Sequence, residues 1–283
     1  MLDAVPSGRA KELAASMEAM GFPTLWIPET VGRDPFVTAA LLLGATSTLR
    51  VATGIANIYA RDAVTMANTQ RTLEEAFPGR FLLGLGVSHH HLVDRVRHHA
   101  YDKPYSRMVE YLDSMDQAIF RAIGPVERPA TVLAALGPRM LRLAGEKADG
   151  AHPYFVPVEH TAQAREILGS EAILAPEQMV VIDGDRIRAV AVARKAMSVY
   201  LRAPNYVNNL KRYGFTDDDV ADGGSDRLVD AIVACGGVDT AIARIQAHFD
   251  AGASHVCVQV LGDDPIAVPE SGWRELAAGL REL

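Results

Sequence analysis

Short apolar and β-branched segments recur along this chain, and a segment with helical periodicity follows each of them. Seven are present: TLWIPE (24–29), RVATGI (50–55), RFLLGLGV (80–87), TVLAAL (131–136), GAHPYF (150–155), QMVVID (178–183) and SHVCVQVL (254–261). Strands that alternate with helices pair in parallel, because each helix returns the chain to the same edge of the sheet. The pattern predicts an α/β fold, with a (β/α)8 TIM barrel favoured over an open, doubly wound sheet.

A closed eight-stranded barrel requires one strand more than these seven. Residues 1–5, MLDAV, are expected to supply a short first strand, or else the natural N-terminus extends beyond Met1. Between about 194 and 238 helix signals continue without a strand pattern, which predicts an all-helical insertion before the last βα unit. No repeat or Pro-, Gly- or Ser-rich linker divides the chain, so residues 1–283 are predicted to form a single domain.

Composition and charge narrow the classes of partner. The chain has 28 Lys and Arg against 35 Asp and Glu, a formal net charge of −7, so it lacks the basic excess of a nucleic-acid-binding protein. No apolar run approaches the roughly 20 residues of a membrane span, and no export signal is visible, so a cytoplasmic protein with a small-molecule ligand is expected. Cys235, at a predicted helix end, and Cys257, in a predicted strand, are expected to be reduced.

Ligands of parallel βα proteins bind at the carboxyl ends of the strands, so the residues directly after each strand are the candidate site. These residues are Pro28, Glu29, Gly54, Ile55, Ala56, Asn57, Gly86, Val87, Ser88, His89, Leu136, Gly137, Pro138, Tyr154 and Phe155. The set is rich in glycine and poor in carboxylates. It favours a flat aromatic ligand against the backbone over a dimetal centre, which needs several carboxylates.

Three consecutive histidines, His89 to His91, follow the segment 80–87. They cannot all face one point on a helix or strand, so no metal site is predicted. His89 lies nearest to the strand end and is a candidate to hydrogen-bond a coenzyme or donate a proton to substrate. In the alternative interpretation Ser88 caps a helix, and His90 and His91 are solvated residues of its first turn.

The segment RVATGIANIYARDAVTMANTQRTLEEAFPGRFLLGLGVSH (50–89) resembles the core of the luciferase-like monooxygenase superfamily. The resemblance covers the whole chain and continues through YDKPYSRMVEYLD, VLAALGPRMLRLAGEKADGAHPY and AGASHVCVQVL. These segments look closest to actinobacterial members that use the deazaflavin coenzyme F420. Members that use ordinary flavin share the Arg-Asp and Gly-Arg-Phe-x-Leu-Gly-x-Gly motifs, so FMN stays open as the coenzyme.

The resemblance implies a set of coenzyme contacts. A non-proline cis peptide between Gly54 and Ile55 would form a bulge behind the central ring of the deazaflavin, and the acidic residue near that ring would be Glu29. The full set of implied coenzyme-binding residues is Glu29, Gly54, Ile55, Ala56, Gly86, Ser88, His89, Ala135, Leu136 and Gly137. This chain departs from some relatives in having Thr30 in place of a histidine and His89 in place of a glutamate.

The activity implied by the resemblance is hydride transfer between C5 of the deazaflavin and a small, neutral or weakly polar substrate. His89 and Glu29 are the candidate catalytic residues, while Asn57, Tyr59 and Tyr154 are expected to line the substrate pocket. Arg61 is expected to form a salt bridge that holds a loop. The alternatives are an FMN-dependent monooxygenase, a non-catalytic flavin-binding protein, and a hydrolytic barrel that uses the histidines. A homodimer is expected, as in similar proteins.

Overall fold

A computed structural model describes residues 2–281 of the chain in two compact α/β units. The N-terminal unit comprises residues 2–134 and 143–150, and the C-terminal unit comprises residues 135–142 and 151–281. The strand pairs described below are all parallel. The α/β class predicted from the alternating pattern is therefore confirmed.

The N-terminal unit contains a sheet in the order β1-β2-β4-β5, in which β3 also pairs with β4. Its strands are β1 (Thr24–Ile27), β2 (Arg50–Thr53), β3 (Ala56–Asn57), β4 (Phe81–Gly86) and β5 (Thr131–Leu133). Its helices are a 3₁₀ turn (Leu2–Ala4), α1 (Ser7–Met20), α2 (Pro35–Leu43), α3 (Ala63–Ala76), a π-helix (Leu92–Val96) and α4 (Pro104–Asp116). The register aligns Leu25 with Val51 and Val51 with Phe81, and all three side chains are buried in the core.

The helices that follow β1 and β2 begin at aspartate N-caps. The Asp34 carboxylate accepts hydrogen bonds from the backbone N–H groups of Phe36 (2.9 Å) and Val37 (3.0 Å), which would otherwise lack partners at the start of α2. The Asp62 carboxylate accepts one from Thr65 (2.9 Å) at the start of α3. These caps fix where the loops at the carboxyl ends of β1 and β2 stop.

The C-terminal unit is built around β8, which pairs with β9 on one side and β10 on the other. Helix α5 (Pro138–Lys147) and strand β6 (Gly150–Ala151) contain residues of both units. The remaining strands are β7 (Ile173–Leu174), β8 (Glu177–Ile182), β9 (Val233–Gly236) and β10 (Cys257–Val260). The helices are α6 (Val158–Leu168), α7 (Arg186–Tyr200), α8 (Pro204–Arg212), α9 (Asp217–Val220), a 3₁₀ turn (Ala221–Gly223), α10 (Asp226–Ile232), α11 (Val238–Asp250) and α12 (Glu270–Leu280).

All seven predicted strands are present; six are shorter than their apolar segments, and β8 has the predicted length but begins one residue earlier, at Glu177. The prediction of a first strand in residues 1–5 was wrong, because Leu2–Ala4 forms a 3₁₀ turn in which the Val5 N–H donates to the Leu2 carbonyl (3.2 Å). Met1 lies outside the described residues. Pro6, which has no N–H, follows this turn directly and precedes α1.

The prediction of an insertion without strands between 194 and 238 was also wrong. Residues 204–232 are largely helical, but β9 follows at Val233–Gly236 and pairs with β8, with Val233 opposite Met179. A short apolar run such as IVAC fits a buried strand as well as a helix end, so periodicity alone could not separate them. Cys235, expected at a helix end, lies in this strand.

Two further expectations concern the chain as a whole. Closure of the strands into one barrel and the single domain over 1–283 stay predictions. In residues 2–281, none of the helices combines the length and apolar character that a bilayer span requires.

Candidate functional site

The most extensively bonded side chain at the carboxyl end of the N-terminal sheet is Glu29, two residues past β1. Its carboxylate is 6% exposed. One oxygen, Oε2, accepts hydrogen bonds from the Asn57 backbone N–H (2.7 Å) and from Arg61 Nη1 (3.0 Å). The other, Oε1, accepts from Arg61 Nη2 (2.7 Å). The pair is therefore bidentate, which is the geometry that makes guanidinium–carboxylate pairs strong.

Further contacts fix Arg61 in place. Nη2 also bonds to Asp34 Oδ2 (3.1 Å), and the guanidinium carbon lies 4.6 Å from the centre of the Phe36 ring. The Tyr111 hydroxyl donates to the Arg61 carbonyl (2.9 Å). The expectation that Arg61 forms a loop-holding salt bridge is confirmed. Because both Glu29 oxygens are already bonded, the carboxylate ties the loop after β1 to the loop after β2.

The peptide bond between Gly54 and Ile55 is cis, as the resemblance predicts. The Gly54 N–H donates to the Ile27 carbonyl (2.8 Å), and the Glu29 N–H donates to the Ile55 carbonyl (3.3 Å). These bonds place the cis peptide beside the end of β1. The predicted coenzyme contacts Gly54 and Ile55 therefore lie next to Glu29.

Gly86, at the end of β4, packs directly against the same bulge. A Cβ atom added there would lie 2.4 Å from Ile55 Cδ1 and 2.5 Å from Ile55 Cγ1, closer than any real side chain approaches. The Gly86 carbonyl accepts from the Ile58 N–H (3.1 Å). The absence of a side chain at Gly86 is thus what lets the strand end and the bulge meet.

Polar groups near this point include Asn57, Tyr59 and Tyr101. Asn57 is buried, and its Oδ1 accepts from the Tyr59 N–H (2.9 Å), so its side chain closes a turn. The Tyr59 ring lies 5.8 Å from that of Tyr101. Its hydroxyl is buried and has no hydrogen-bond partner within residues 2–281. Burial raises the Tyr59 pKa, so the hydroxyl is neutral and keeps its proton.

The three consecutive histidines differ in their exposure to solvent. His90 and His91 are exposed and His89 is half-buried, with the His89 and His91 rings stacked at 6.0 Å. Ser88 does not cap a helix as suggested: its φ is 57°, and the π-helix that follows has His91 as N-cap with no side-chain cap bond. The Ser88 carbonyl instead accepts from the Tyr101 hydroxyl (3.3 Å).

A polar depression opens beside Glu29 in the N-terminal unit. Its volume is about 250 Å³, and it is lined by Glu29, Thr30, Gly32, Arg33, Asp34, Ala60, Arg61 and Arg97. A larger depression, of about 630 Å³, lies between α1 and α2, but it contains none of the candidate residues and lies away from the strand ends. The smaller one contains the predicted site residue Glu29 and lies beside the loops that follow β1 and β3.

The C-terminal unit holds the segment 135–137, the predicted backbone contact of the coenzyme. The Leu136 carbonyl accepts a hydrogen bond from His160 Nε2 (2.9 Å). A Cβ atom on Gly137 would lie 2.8 Å from Arg212 Nη1, so this guanidinium lies against the glycine at the N-terminus of α5. Neither His160 nor Arg212 was singled out from the sequence, because each lies in a helix far along the chain.

Tyr154, a predicted substrate contact, is part of a hydrogen-bonded group in the C-terminal unit. Its hydroxyl donates to Gln259 Oε1 (2.6 Å) and lies 2.7 Å from the Tyr200 hydroxyl. Since Tyr154 has one proton and gives it to Gln259, Tyr200 is the donor in that second bond. Burial raises the Tyr154 pKa well above its ordinary value.

Glu177 lies near these tyrosines and was missed by the sequence analysis. It is 2% exposed; Oε2 accepts from the Phe155 N–H (3.3 Å), and Oε1 has no partner within the described residues. Burial raises its pKa to about 8. Glu177 directly precedes the strand segment QMVVID, and a carboxylate next to a buried strand is the signal that could have identified it.

Buried histidines of the C-terminal unit are hydrogen-bonded structural groups. His152 is buried and donates from Nδ1 to the Ala175 carbonyl (2.7 Å). His248 bonds to Thr161 Oγ1 (2.8 Å) and to Gln178 Oε1 (2.9 Å). Across residues 2–281, no three His, Cys, Asp or Glu side chains gather in a way that could hold a metal ion.

A sequence model of the luciferase-like monooxygenase family matches residues 3–255. The chain belongs to this family. It is 25% identical to a Mycobacterium tuberculosis protein provisionally named a coenzyme F420-dependent oxidoreductase, over 83% of this chain and 86% of that protein. It is 26% identical to the 5,10-methylenetetrahydromethanopterin reductase of Methanolobus tindarius, over 88% of each chain.

Solved structures show the same fold. An F420-dependent secondary alcohol dehydrogenase, in complex with an F420-acetone adduct, superposes with a TM-score of 0.76 at 16% identity, over 97% of this chain and 94% of that one. The oxygenating component of a 3,6-diketocamphane monooxygenase from Pseudomonas putida, in complex with FMN, superposes with a TM-score of 0.70 at 16% identity, over 96% and 90%.

Proposed function

We propose that this protein is a coenzyme F420-dependent oxidoreductase that transfers a hydride between C5 of the deazaflavin and a small organic substrate. The observation that carries the proposal is the family match over residues 3–255, and the predicted coenzyme contacts Gly54, Ile55 and Gly86 lie together beside Glu29 at the strand ends of the N-terminal unit. Relatives of nearly full length support the choice of F420, since one carries that coenzyme in its name.

The residues of the C-terminal unit fit the acidic part of F420. The coenzyme tail contains a phosphodiester and carboxylates, so it requires cationic and N–H donors. Arg212 lies against Gly137 at the N-terminus of α5, where the Gly137 N–H and the helix dipole favour an anion. These three features are the proposed tail contacts. The proposed ring contacts Gly54, Ile55, Ala56 and Gly86 belong to the N-terminal unit.

The chain's own residues would orient the reactants and manage one proton. When bound, the deazaflavin supplies or accepts the hydride and does not readily activate oxygen. The Glu29–Arg61 pair fixes the loop that carries Asn57 and Tyr59, and the Tyr59 hydroxyl is a neutral donor for a substrate oxygen. His89 would donate or accept the proton that accompanies hydride transfer, at one of its ring nitrogens.

Coenzyme binding gives the most direct test of the proposal. We expect purified protein to quench the fluorescence of oxidised F420 with a dissociation constant in the micromolar range or below, and FMN to bind far more weakly. The reverse order would favour an FMN-dependent monooxygenase. Tight F420 binding without turnover of any tested alcohol, ketone or alkene would favour a non-catalytic binding protein, and binding of neither coenzyme would overturn the proposal.

The role of His89 is tested by His89→Ala beside His90→Ala, a matched change of an exposed neighbour. His89→Ala is expected to lower kcat about 100-fold or more, because a positioned acid or base contributes roughly that factor. His90→Ala is expected to keep full activity. Steady-state kinetics and F420 titrations check both, and unchanged turnover and affinity in His89→Ala would remove His89 from the site.

The remaining expectations from the sequence are also proposals. They are Glu29 as a second catalytic group, Tyr154 as a substrate contact, the contacts of Ser88 and Ala135 with the coenzyme, a homodimer and a cytoplasmic location.

A further inference from the structure

We propose that His160 is a positioning residue, which turns the peptide between Leu136 and Gly137 so that the Gly137 N–H faces the ligand. The inference rests on the proposed function, because it takes the segment 135–137 as part of the coenzyme site. It adds a residue of α6, His160, which donates a hydrogen bond to the Leu136 carbonyl of that segment.

The geometry starts from one buried hydrogen bond. His160 lies in the first turn of α6, is 0% exposed, and places Nε2 2.9 Å from the Leu136 carbonyl oxygen. A carbonyl only accepts, so Nε2 carries the proton and donates. Nδ1 is then an acceptor, and it is buried without a partner in the described chain. Packing and a single hydrogen bond thus fix the ring.

The surroundings keep this imidazole neutral. Burial lowers the His160 pKa to about 4, and the nearby Arg212 charge acts in the same direction. The Tyr213 ring packs 5.7 Å from the His160 ring and is held by its own hydroxyl, which donates to Gln163 Oε1 (2.6 Å). His160 therefore stays a one-proton donor near neutral pH.

Planarity of the peptide bond transmits this contact to Gly137. In a trans peptide the C=O of one residue and the N–H of the next point in opposite directions. Because the Leu136 carbonyl points at His160, the Gly137 N–H points away from it. That N–H makes no hydrogen bond within residues 2–281, while the Gly137 carbonyl accepts from Met140 and Leu141 (3.0 Å each). The free donor suits a carbonyl or phosphate oxygen.

A second helix contacts the same segment. Arg212 is the last residue of α8, and its Nη1 would lie 2.8 Å from a Cβ atom added to Gly137. Without the His160 bond, the Leu136 carbonyl would lose its buried partner and the peptide could rotate. The Gly137 N–H would then no longer be directed at the ligand.

Two amide substitutions at position 160 distinguish the effect of the hydrogen bond to Leu136 from the effect of filling a buried position. In His160→Gln the amide nitrogen is the same number of bonds from Cα as Nε2, so it can still donate to Leu136; in His160→Asn it is one bond too short. We expect His160→Asn to raise the dissociation constant of F420 about 5- to 10-fold, and His160→Gln to stay within about 2-fold of the parent. Fluorescence quenching measures both constants.

His248 supplies the matched control for stability. It is equally buried in the same unit but bonds to the side chains of Thr161 and Gln178. His248→Asn is expected to lower Tm about as much as His160→Asn while leaving the F420 dissociation constant unchanged. Equal losses of affinity in the two Asn variants, or none in His160→Asn, would overturn the role of His160 alone. Failure of the parent protein to bind F420 would overturn the proposed function as well.

Discussion

Arg61→Met is expected to lower the free energy of unfolding by about 3–5 kcal/mol, the range observed when one partner of a buried ion pair is removed. The change leaves the Glu29 carboxylate, 6% exposed, without its bidentate cation. Urea denaturation at pH 7 measures the loss. Arg97→Met is the control: Arg97 Nη2 lies 3.5 Å from Glu29 Oε1 and its side chain is 26% exposed, so its removal should cost less than about 1 kcal/mol.

A double variant distinguishes an unpaired charge from lost packing. Glu29→Met with Arg61→Met removes both charges, and replacement of an entire buried pair by apolar groups is often close to neutral. The double variant should therefore recover part of the stability lost in Arg61→Met. If it is less stable than Arg61→Met, the packing of these side chains and not their charges dominates this loop.

Glu177→Gln is expected to make stability less dependent on pH. Folding raises the Glu177 pKa from 4.5 to about 8, so between these values the folded protein holds a proton that the unfolded chain has lost. The resulting stabilisation is complete below pH 4.5 and is lost as pH rises through 8. With about 1.4 kcal/mol per pKa unit, the parent should lose about 3–5 kcal/mol more than the variant between pH 5 and pH 9.

The parent protein and Glu177→Gln differ in a single titrating group, so the difference between their pH dependences reports on Glu177. Glutamine also keeps the acceptor for the Phe155 N–H. Denaturation midpoints and m-values measured at pH 5, 7 and 9 give the difference curve. Parallel curves for the parent and Glu177→Gln would show that Glu177 is ionised in the folded protein at all three pH values.

Local patterns were sufficient to predict seven of the ten strands in residues 2–281 and the residues at the carboxyl ends of those seven. Glu29 and Gly86 lie where the βα pattern places ligand-binding residues, and the resemblance supplied the cis peptide after Gly54. The partners of these residues were less visible. That Arg61 pairs with Glu29 depends on how two loops fold together over 32 positions, which neither periodicity nor capping encodes.

Strand β9 and His160 were missed for different physical reasons. Val233–Gly236 is four residues long and follows α10 directly, so its apolar residues extend the helical pattern without a turn signal. His160 lies near the start of a helix, and its role depends on a carbonyl 24 positions earlier. Hydrogen bonds from a side chain to a distant backbone group leave no periodic trace in a sequence.

The direct junction between α10 and β9 also bears on how the length of this chain can vary. Ile232 ends the helix and Val233 begins the strand, so no loop residue is available to absorb an insertion. One added residue would shift the pairing of Val233 with Met179 and turn the buried side chains of β9 to the opposite face. The segment 117–130 has no helix or strand and carries the exposed Ile123 and Val126. Homologues and engineered variants should therefore gain or lose residues in 117–130 and keep a constant spacing across the α10–β9 junction.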